Sequence, residues 1–520
     1  SLIMDAIQGT ILWADDEIDL LKAHIIFLKQ KGYETDCVNN GQDAVEACRN
    51  RHYDIVFLDE NMPGMNGLEA LQQIKEIDST IPVVMITKSE EEDIMNQAIG
   101  AKIADYLIKP VNPNQILLTL KKNIKARQII SEVTTDGYRS EFGKIGLQIN
   151  DSSSVEDYME VYKKLVFWEL QISESAADMD EILLMQKEEA NSAFVKYIKK
   201  NYESWFKEGA DRPMMSQDVF KTKVLPLLDN GEKVFFVVLD NFRFDQWRII
   251  RELLSTDFVV ETEDLYCSML PTSTQYSRNA IFSGLLPLQI KEMYPQYWVE
   301  EDDEDSKNKF EEELIGTFFQ RYRRKFTYSY AKIVDSAFAS KYVSEIKKLK
   351  DNDLNVAVFN FVDMLSHART DSKMIRELAS TDAAYRSLTK TWFQHSAIKE
   401  FFEAVKNMGY KVVLTTDHGT IHVRNAIKVV GDKNTNTNLR YKVGKNLNYN
   451  RKEVFEIRKP ESIGLPSPNV SSAYIFACNS DFFAYPNNYN YYVSYYKNTF
   501  QHGGVSMEEI FLPLVVMKGK

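Results

Sequence analysis

Short strand-like runs alternate with helical patterns through the first 126 residues. Thr10 to Ala14 (TILWA) runs into Asp15-Asp16-Glu17, and Tyr33 to Val38 follows a helical pattern on Leu20, Leu21, Ile25 and Leu28 closed by Lys31-Gly32. Asp43 to Arg49 reads as helix, and Asp54 to Leu58 as a strand ending on Asp59. A helix through Leu68 to Ile77 precedes the strand Ile81 to Ile86, which ends on Thr87. A helix to Ile99, the strand Ala104 to Ile108 ahead of Lys109-Pro110, and a helix from Asn112 to about Lys125 complete the series. Five such β-α units predict a doubly wound parallel sheet. In such a sheet ligands bind beyond the carboxyl ends of the strands. Asp15, Asp16 and Asp59 would gather there as hard oxygen donors suited to magnesium, with the Thr87 hydroxyl and the Lys109 ammonium beside them.

These features resemble a two-component receiver domain, with the motif Asp59 to Gly67 (DENMPGMNG), Thr87, Tyr106 and Lys109-Pro110 in order. The resemblance implies that Asp59 accepts phosphate and that Asp15, Asp16, Asp59 and the Asn61 carbonyl hold Mg2+. It implies that Lys109 contacts the phosphoryl group and that Thr87 and Tyr106 form the switch pair. It further implies a histidine kinase as phosphodonor and a homodimer promoted by phosphorylation. The expected domain covers residues 5–126.

Residues 127–215 lose strand-like alternation and read as a helical bundle. Its stripes are Val155, Tyr158, Tyr162, Leu165 and Val166; Met179, Ile182, Leu183 and Gln186; and Phe194, Ile198, Tyr202 and Trp205.

From residue 216 to 520 the α/β rhythm returns. The apolar run Lys233 to Leu239 ends on Asp240, Val356 to Val362 ends on Asp363 with His367 four residues on, and Lys411 to Leu414 leads to Asp417-His418. His502 comes late, and the chain has only seven histidines, so three of them in this set is a concentration. Mixed carboxylate and imidazole ligands at strand ends suit zinc or a similar ion with positions left open. Between the strands lies CSMLPTSTQYSRNAIFSGLLP, Cys267 to Pro287, a hydroxyl-rich loop entering a helix that stops at Gly284. Such a helix start suits an anion, and Thr272 and Thr274 are both placed as hydroxyl nucleophiles.

This region resembles the alkaline phosphatase superfamily in its PglZ branch. The resemblance implies two Zn2+ ions, one on Asp240, Thr274, Asp417 and His418, the other on Asp363, His367 and His502. It favours Thr274 as nucleophile, ten residues before Gly284, with Thr272 the second candidate, and it makes Arg278 a substrate-binding arginine. The implied activity is a metal-dependent phosphodiesterase acting on linear or cyclic oligonucleotides. The whole order resembles PorX-like response regulators of Bacteroidetes, tied to type IX secretion. The competing expectations are a phosphomonoesterase, or a non-catalytic interaction module with structural zinc that binds a sigma factor or secretion component.

Net charge of −12 removes any general attraction to duplex nucleic acid or anionic membrane. Two loops, Asn434 to Asn448 with Arg440, Lys442 and Lys445 and the Tyr/Asn-rich Tyr485 to Tyr496, read as surface hairpins with solvated tyrosines, or alternatively as a surface whose mixed aromatics and cations suit single-stranded bases. The acidic run Glu300 to Asp305 reads as a solvated loop, and His422 as a neighbour of the metal ligands at most. Four scattered cysteines without CxxC spacing argue against a disulfide framework or a thiolate zinc site. No apolar run reaches bilayer length and no signal peptide is read, so a cytoplasmic protein is expected.

Overall fold

The computed structural model describes residues 7–88, 103–174, 179–301, 303, 306–361, 381–432 and 435–520. The chain divides into two compact units, residues 1–144 with 167–183, and residues 145–166 with 184–520.

The first unit carries strands β1 (Gly9–Ala14), β2 (Tyr33–Val38), β3 (Ile55–Asp59), β4 (Val83–Thr87) and β5 (Asp105–Ile108). They form one parallel sheet in the order β2-β1-β3-β4-β5. Every residue of β3 and β4 is buried. That is what helices on both faces of a parallel sheet require, and it explains runs that are apolar throughout rather than alternating. One core lies on each face, one around Leu12, Val56, Leu71 and Met85, the other around Trp13, Phe57, Ile86 and Ile116. Asn40 and Asn66 accept from the backbone N–H three residues on and start the helices Gly41–Asn50 and Gly67–Ile77. The expected helix to Ile99 lies outside the described residues.

The last receiver helix does not stop near Lys125 but runs continuously from Pro113 to Asp151. No proline interrupts it, and its glycines at 137, 143 and 146 only weaken a helix. Tyr138, Ile145 and Ile149 are buried along it. Two more helices follow, Val155–Glu174 and Asp180–Asn201. The anticipated stripes are buried except at Ile182, which is 41% exposed. Part of this helical region belongs to the second unit: the Tyr162 and Phe194 rings pack on Phe511 at 5.9 and 4.8 Å, and Asn191 donates to Glu508.

The second unit contains strands β6 (Val234–Leu239), β7 (Phe258–Cys267), β8 (Tyr328–Ile333), β9 (Leu354–Phe359) and β10 (Lys411–Thr415). The short strands β11 (Ile421–His422), β12 (Asn425–Lys428), β13 (Tyr441–Gly444), β14 (Val454–Ile457), β15 (Ala473–Ala477), β16 (Asp481–Ala484) and β17 (Phe500–Gln501) precede the closing β18 (Phe511–Gly519). The main sheet has the order β7-β18-β10-β6-β9-β8, with β18 antiparallel to both neighbours. β10 and β6 are adjacent and parallel, so their carboxyl ends lie side by side. β9 ends at Phe359, before the expected Val362, and Asp363 and His367 fall within residues 362–380, outside the described residues.

Candidate functional site

The loop after β6 supplies Asp240 and the loop after β10 supplies Asp417 and His418. One donor atom from each lies within 4.8 Å of the other two. The Asn241 and His418 backbone N–H groups both donate to Asp417 Oδ1, at 3.0 and 2.9 Å. The turn that allows this puts Asn241 at φ 58°, a conformation asparagine tolerates. Asp417 Oδ2 is left buried with no hydrogen-bond partner. Gly419 then passes so close to the Glu508 carbonyl that a Cβ would sit 1.8 Å from its oxygen, so only glycine fits there.

Thr274 is the first residue of the helix Thr274–Ser283, which Gly284 caps at φ 68°. Its Oγ1 lies 3.3 Å from Asp240 Oδ1 and 3.0 Å from His418 Nε2, and its one hydrogen can be given to either acceptor. His418 Nδ1 is 2.9 Å from the Gly419 carbonyl, which only accepts, so Nδ1 carries the proton and Nε2 presents its lone pair toward Thr274. His502 repeats the arrangement, with Nδ1 3.0 Å from the Thr272 carbonyl. The two imidazoles stack with centroids 3.9 Å apart. Thr272 is otherwise occupied: its buried hydroxyl donates to the Gly504 carbonyl and accepts from the Gly503 N–H, both at 2.9 Å.

Burial, and next the neighbouring Asp417, pushes the Asp240 carboxyl up to about 6, against the pull of Arg278. Burial lowers both imidazoles, His502 to about 3 with His418 adding to the effect, so both rings are neutral at pH 7. Two carboxylates, an orphaned carboxylate oxygen and imidazole nitrogens with free lone pairs, each ring oriented by a backbone carbonyl, are what a divalent metal ion of the zinc type accepts. The residues present fit such an ion.

Several expected roles change in three dimensions. Arg278, anticipated as a substrate contact, is 2% exposed, with Nε 2.6 Å from Glu311 Oε1 and Nη1 3.4 Å from Asp240 Oδ1. Its planar fork serves two protein carboxylates. Arg440 is fully buried on Glu509, and Lys442 is 2% exposed and donates to the Asn436 carbonyl, so neither belongs to a surface loop for a nucleic acid. Tyr491 and Tyr495 do remain exposed and stacked at 6.0 Å. Glu301, in the acidic run, accepts from the Tyr276 and Tyr441 hydroxyls at 2.6 and 2.9 Å instead of facing only solvent. His422 packs on the Phe500 ring at 5.2 Å and is not part of the carboxylate–imidazole cluster.

In the first unit, donor atoms of Asp15, Asp16 and Asp59 come within 4.8 Å of one another. Lys109 Nζ bridges Asp15 and Asp59 at 3.0 and 3.1 Å. Burial raises the Asp59 carboxyl to about 6, with Asp15 adding to the effect and the Lys109 hydrogen bond opposing it. The Asn61 N–H donates to Asp59 Oδ1 at 3.3 Å. Tyr106 packs partly buried against the core around Leu12 and Met85. The Thr87 hydroxyl donates to Glu60, a buried carboxylate that sequence reasoning passed over; its only signal was adjacency to Asp59.

Residues 219–517 match the family described as the BREX system PglZ alkaline phosphatase-like domain, and that span is more than half of the chain. The chain belongs to the PglZ alkaline phosphatase-like family. In this PglZ-family chain, residues 128–206 match the PorX response regulator linker domain and residues 11–121 the response regulator receiver domain. It is a receiver joined through a helical linker to an effector of the phosphoesterase superfamily, α/β overall. The receiver is also similar to the transcriptional regulatory protein ZraR of Klebsiella oxytoca, 32% identical over 143 residues, 28% of this chain and 32% of that protein. It is 34% identical to the transcriptional regulatory protein ResD of Bacillus subtilis over 119 residues, 23% of this chain and 49% of that one. The chain thus spans about a third to a half of the length of these curated relatives. A CheY-like receiver from Methanospirillum hungatei aligns with 23% identity over 23% of this chain and 94% of its own, at a TM-score of 0.22. A two-component response regulator from Clostridium difficile aligns with 27% identity over 23% of this chain and 97% of its own, also at 0.22. Among the described residues no helix is long and apolar enough to cross a membrane.

Proposed function

We propose that the effector is a metal-dependent phosphodiesterase that uses Thr274 as its nucleophile. The observation that carries this is the Thr274 hydroxyl at a helix start, 3.0 Å from the lone pair of His418 Nε2 and 3.3 Å from Asp240, beside an orphaned oxygen of Asp417. Asp240, Asp417 and His418 would hold one metal ion, and His502, with Asp363 and His367 of the undescribed segment, a second. When bound, zinc makes an oxygen more acidic and offsets charge on a phosphate. The helix start aims backbone N–H groups at an anion. Thr274 Oγ1 loses its proton to water and bonds to phosphorus as the bond to the leaving oxygen breaks. The leaving oxygen takes a proton from water, and a second water then cleaves the resulting threonyl phosphodiester, releasing a phosphomonoester and restoring the Thr274 hydroxyl.

A diester is favoured over a monoester because Arg278 is already shared between Glu311 and Asp240, and a monoester dianion asks for additional positive groups. By family likeness the substrate is a linear or cyclic oligonucleotide, and the exposed Tyr491 and Tyr495 faces suit its bases. In the receiver, Asp15, Asp16 and Asp59 would hold Mg2+ while Asp59 takes phosphate from a histidine kinase. The resulting acyl phosphate draws Lys109 and Thr87 and promotes a homodimer that gates the effector. Control of type IX secretion is the output this architecture suggests.

The test is turnover of an aryl phosphodiester by zinc-loaded protein, beside Thr274→Val and the matching monoester. Diester turnover lost in the variant supports the assignment. Turnover of neither ester leaves the fold as a scaffold for interaction alone. Monoester turnover exceeding diester turnover replaces the phosphodiesterase with a phosphomonoesterase.

A further inference from the structure

Arg278 reaches past Asp240 to a residue on a different helix. Its Nε and Nη2 both lie 2.6 Å from Oε1 of Glu311, which opens the helix Glu311–Arg321. Glu311 is fully buried, and the Tyr330 hydroxyl of β8 donates to its other oxygen. Arg278 Nη1 approaches Asp240 Oδ1 at 3.4 Å, and that oxygen also lies 3.3 Å from Thr274 Oγ1. One guanidinium therefore spans a distant carboxylate and the carboxylate that holds the nucleophile.

A buried ion pair is weak evidence of a contribution to stability, since an apolar pair of similar volume often does as well. Neutralising the acidic site does not account for Glu311 either, because Glu311 returns the negative charge that Arg278 removes. With Glu311 counted, Asp240, Asp417 and Glu311 face one cation among the described residues, Arg278, and the surplus suits a divalent ion. What Glu311 adds beyond charge is direction. Its Oε1 accepts from Arg278 Nε, with Nη2 at ion-pair distance, and so sets where Nη1 meets Asp240.

We propose that Glu311 is a positioning residue of the effector site, which through Arg278 fixes the Asp240 carboxylate against the bound metal and the Thr274 hydroxyl. The inference rests on the phosphoesterase reading above. Without Glu311 the guanidinium turns its whole fork onto Asp240 and draws the carboxylate from Thr274 and from the metal. Partners of metal ligands set affinity and activity by about 10- to 100-fold.

The experiment measures zinc affinity of the full chain by competition with a chromophoric chelator, with kcat and KM for an aryl phosphodiester alongside. Melting of the metal-free protein establishes that each variant folds. Glu311→Gln is expected to weaken zinc binding by about 10-fold or more and to lower kcat with little change in KM. Arg278→Lys, which keeps a cation on Glu311 but loses the fork, is expected to do the same and reads the link even if Glu311→Gln does not fold. Glu312→Gln removes the same charge from an exposed position one residue away and is expected to leave zinc affinity at the parental value. Folded Glu311→Gln or Arg278→Lys within about two-fold of the parent, or an equal loss in Glu312→Gln, would overturn the proposal, since second-sphere partners ordinarily cost more. Parental protein that neither binds zinc nor turns over the diester fails the phosphoesterase reading itself. Parental protein that does both, with Glu311→Gln equal to it, fails only the role of Glu311.

Discussion

Replacing Thr272 by valine separates the two threonines by opposite effects on stability and turnover. Valine matches threonine in shape, so the perturbation is the hydroxyl alone. That hydroxyl donates to the Gly504 carbonyl and accepts from the Gly503 N–H, both at 2.9 Å, and Thr272 is fully buried. The substitution orphans both backbone groups, and each buried orphan costs about 1–3 kcal/mol, so a loss of about 3 kcal/mol is expected. For a unit of about 360 residues the unfolding entropy is about 0.75 kcal/mol/K, and the melting temperature should fall by about 4 °C. Thr274→Val removes a hydroxyl from a partly buried site and orphans one buried group, the His418 ring 3.0 Å away, so its melting temperature should fall by about 2 °C, less than that of Thr272→Val, which orphans two. Calorimetry of the metal-free protein measures the first effect and aryl phosphodiester turnover the second. Thr272→Val should keep most of its turnover, and Thr274→Val should lose it. The reverse pattern, an unmoved melting temperature with turnover lost only in Thr272→Val, would refute the assignment.

Three further outcomes are expected. Burial raises the Asp481 carboxyl to about 6, with Glu453 adding and Arg440 opposing. The folded state therefore binds this proton more tightly than the unfolded chain, and the ionised form costs stability above pH 6 that is regained as pH falls toward 4. Asp481→Asn should stabilise the protein at pH 8 by at most about 3 kcal/mol and have no effect near pH 4, read by urea unfolding at both values. Arg440→Met leaves Glu509 buried without its cation and should cost about 3–5 kcal/mol, while the pair Arg440→Met with Glu509→Gln recovers part of it in the same assay. Asn191→Ala removes the bonds to Glu508 at 3.2 and 3.0 Å and to the Met507 N–H at 2.8 Å. About 2–3 kcal/mol should be lost, with faster amide exchange across residues 506–510, and unchanged exchange there would refute the link.

The receiver was legible because its signals are local. A strand buried on both faces must be apolar up to its end, and a parallel sheet puts the first polar residue at its carboxyl edge, as at Asp59 and Thr87, the last residues of β3 and β4. The same rule brought Asp240 beside Asp417 and His418, since β6 and β10 are neighbours. The continuous helix from Pro113 to Asp151 was not legible, because its receiver-core residues (Ile116, Leu117 and Leu120) end well before Tyr138 and Ile149 begin a different buried set.

Strand-end chemistry, the hydroxyl loop ahead of Gly284 and the receiver residues all followed from the order of residues, because backbone period and capping act within a few positions. Which groups those residues would meet did not. Arg278 reads as a free cation until Glu311, 33 residues on, takes its fork. Thr272 and Thr274 are equivalent until Gly503 and Gly504 arrive from more than 200 residues away to occupy one of them. Arg440 and Lys442 lost their place on the surface to burial. A charge or hydroxyl deprived of water must find a partner, and only the packed fold determines which partner lies within hydrogen-bond reach.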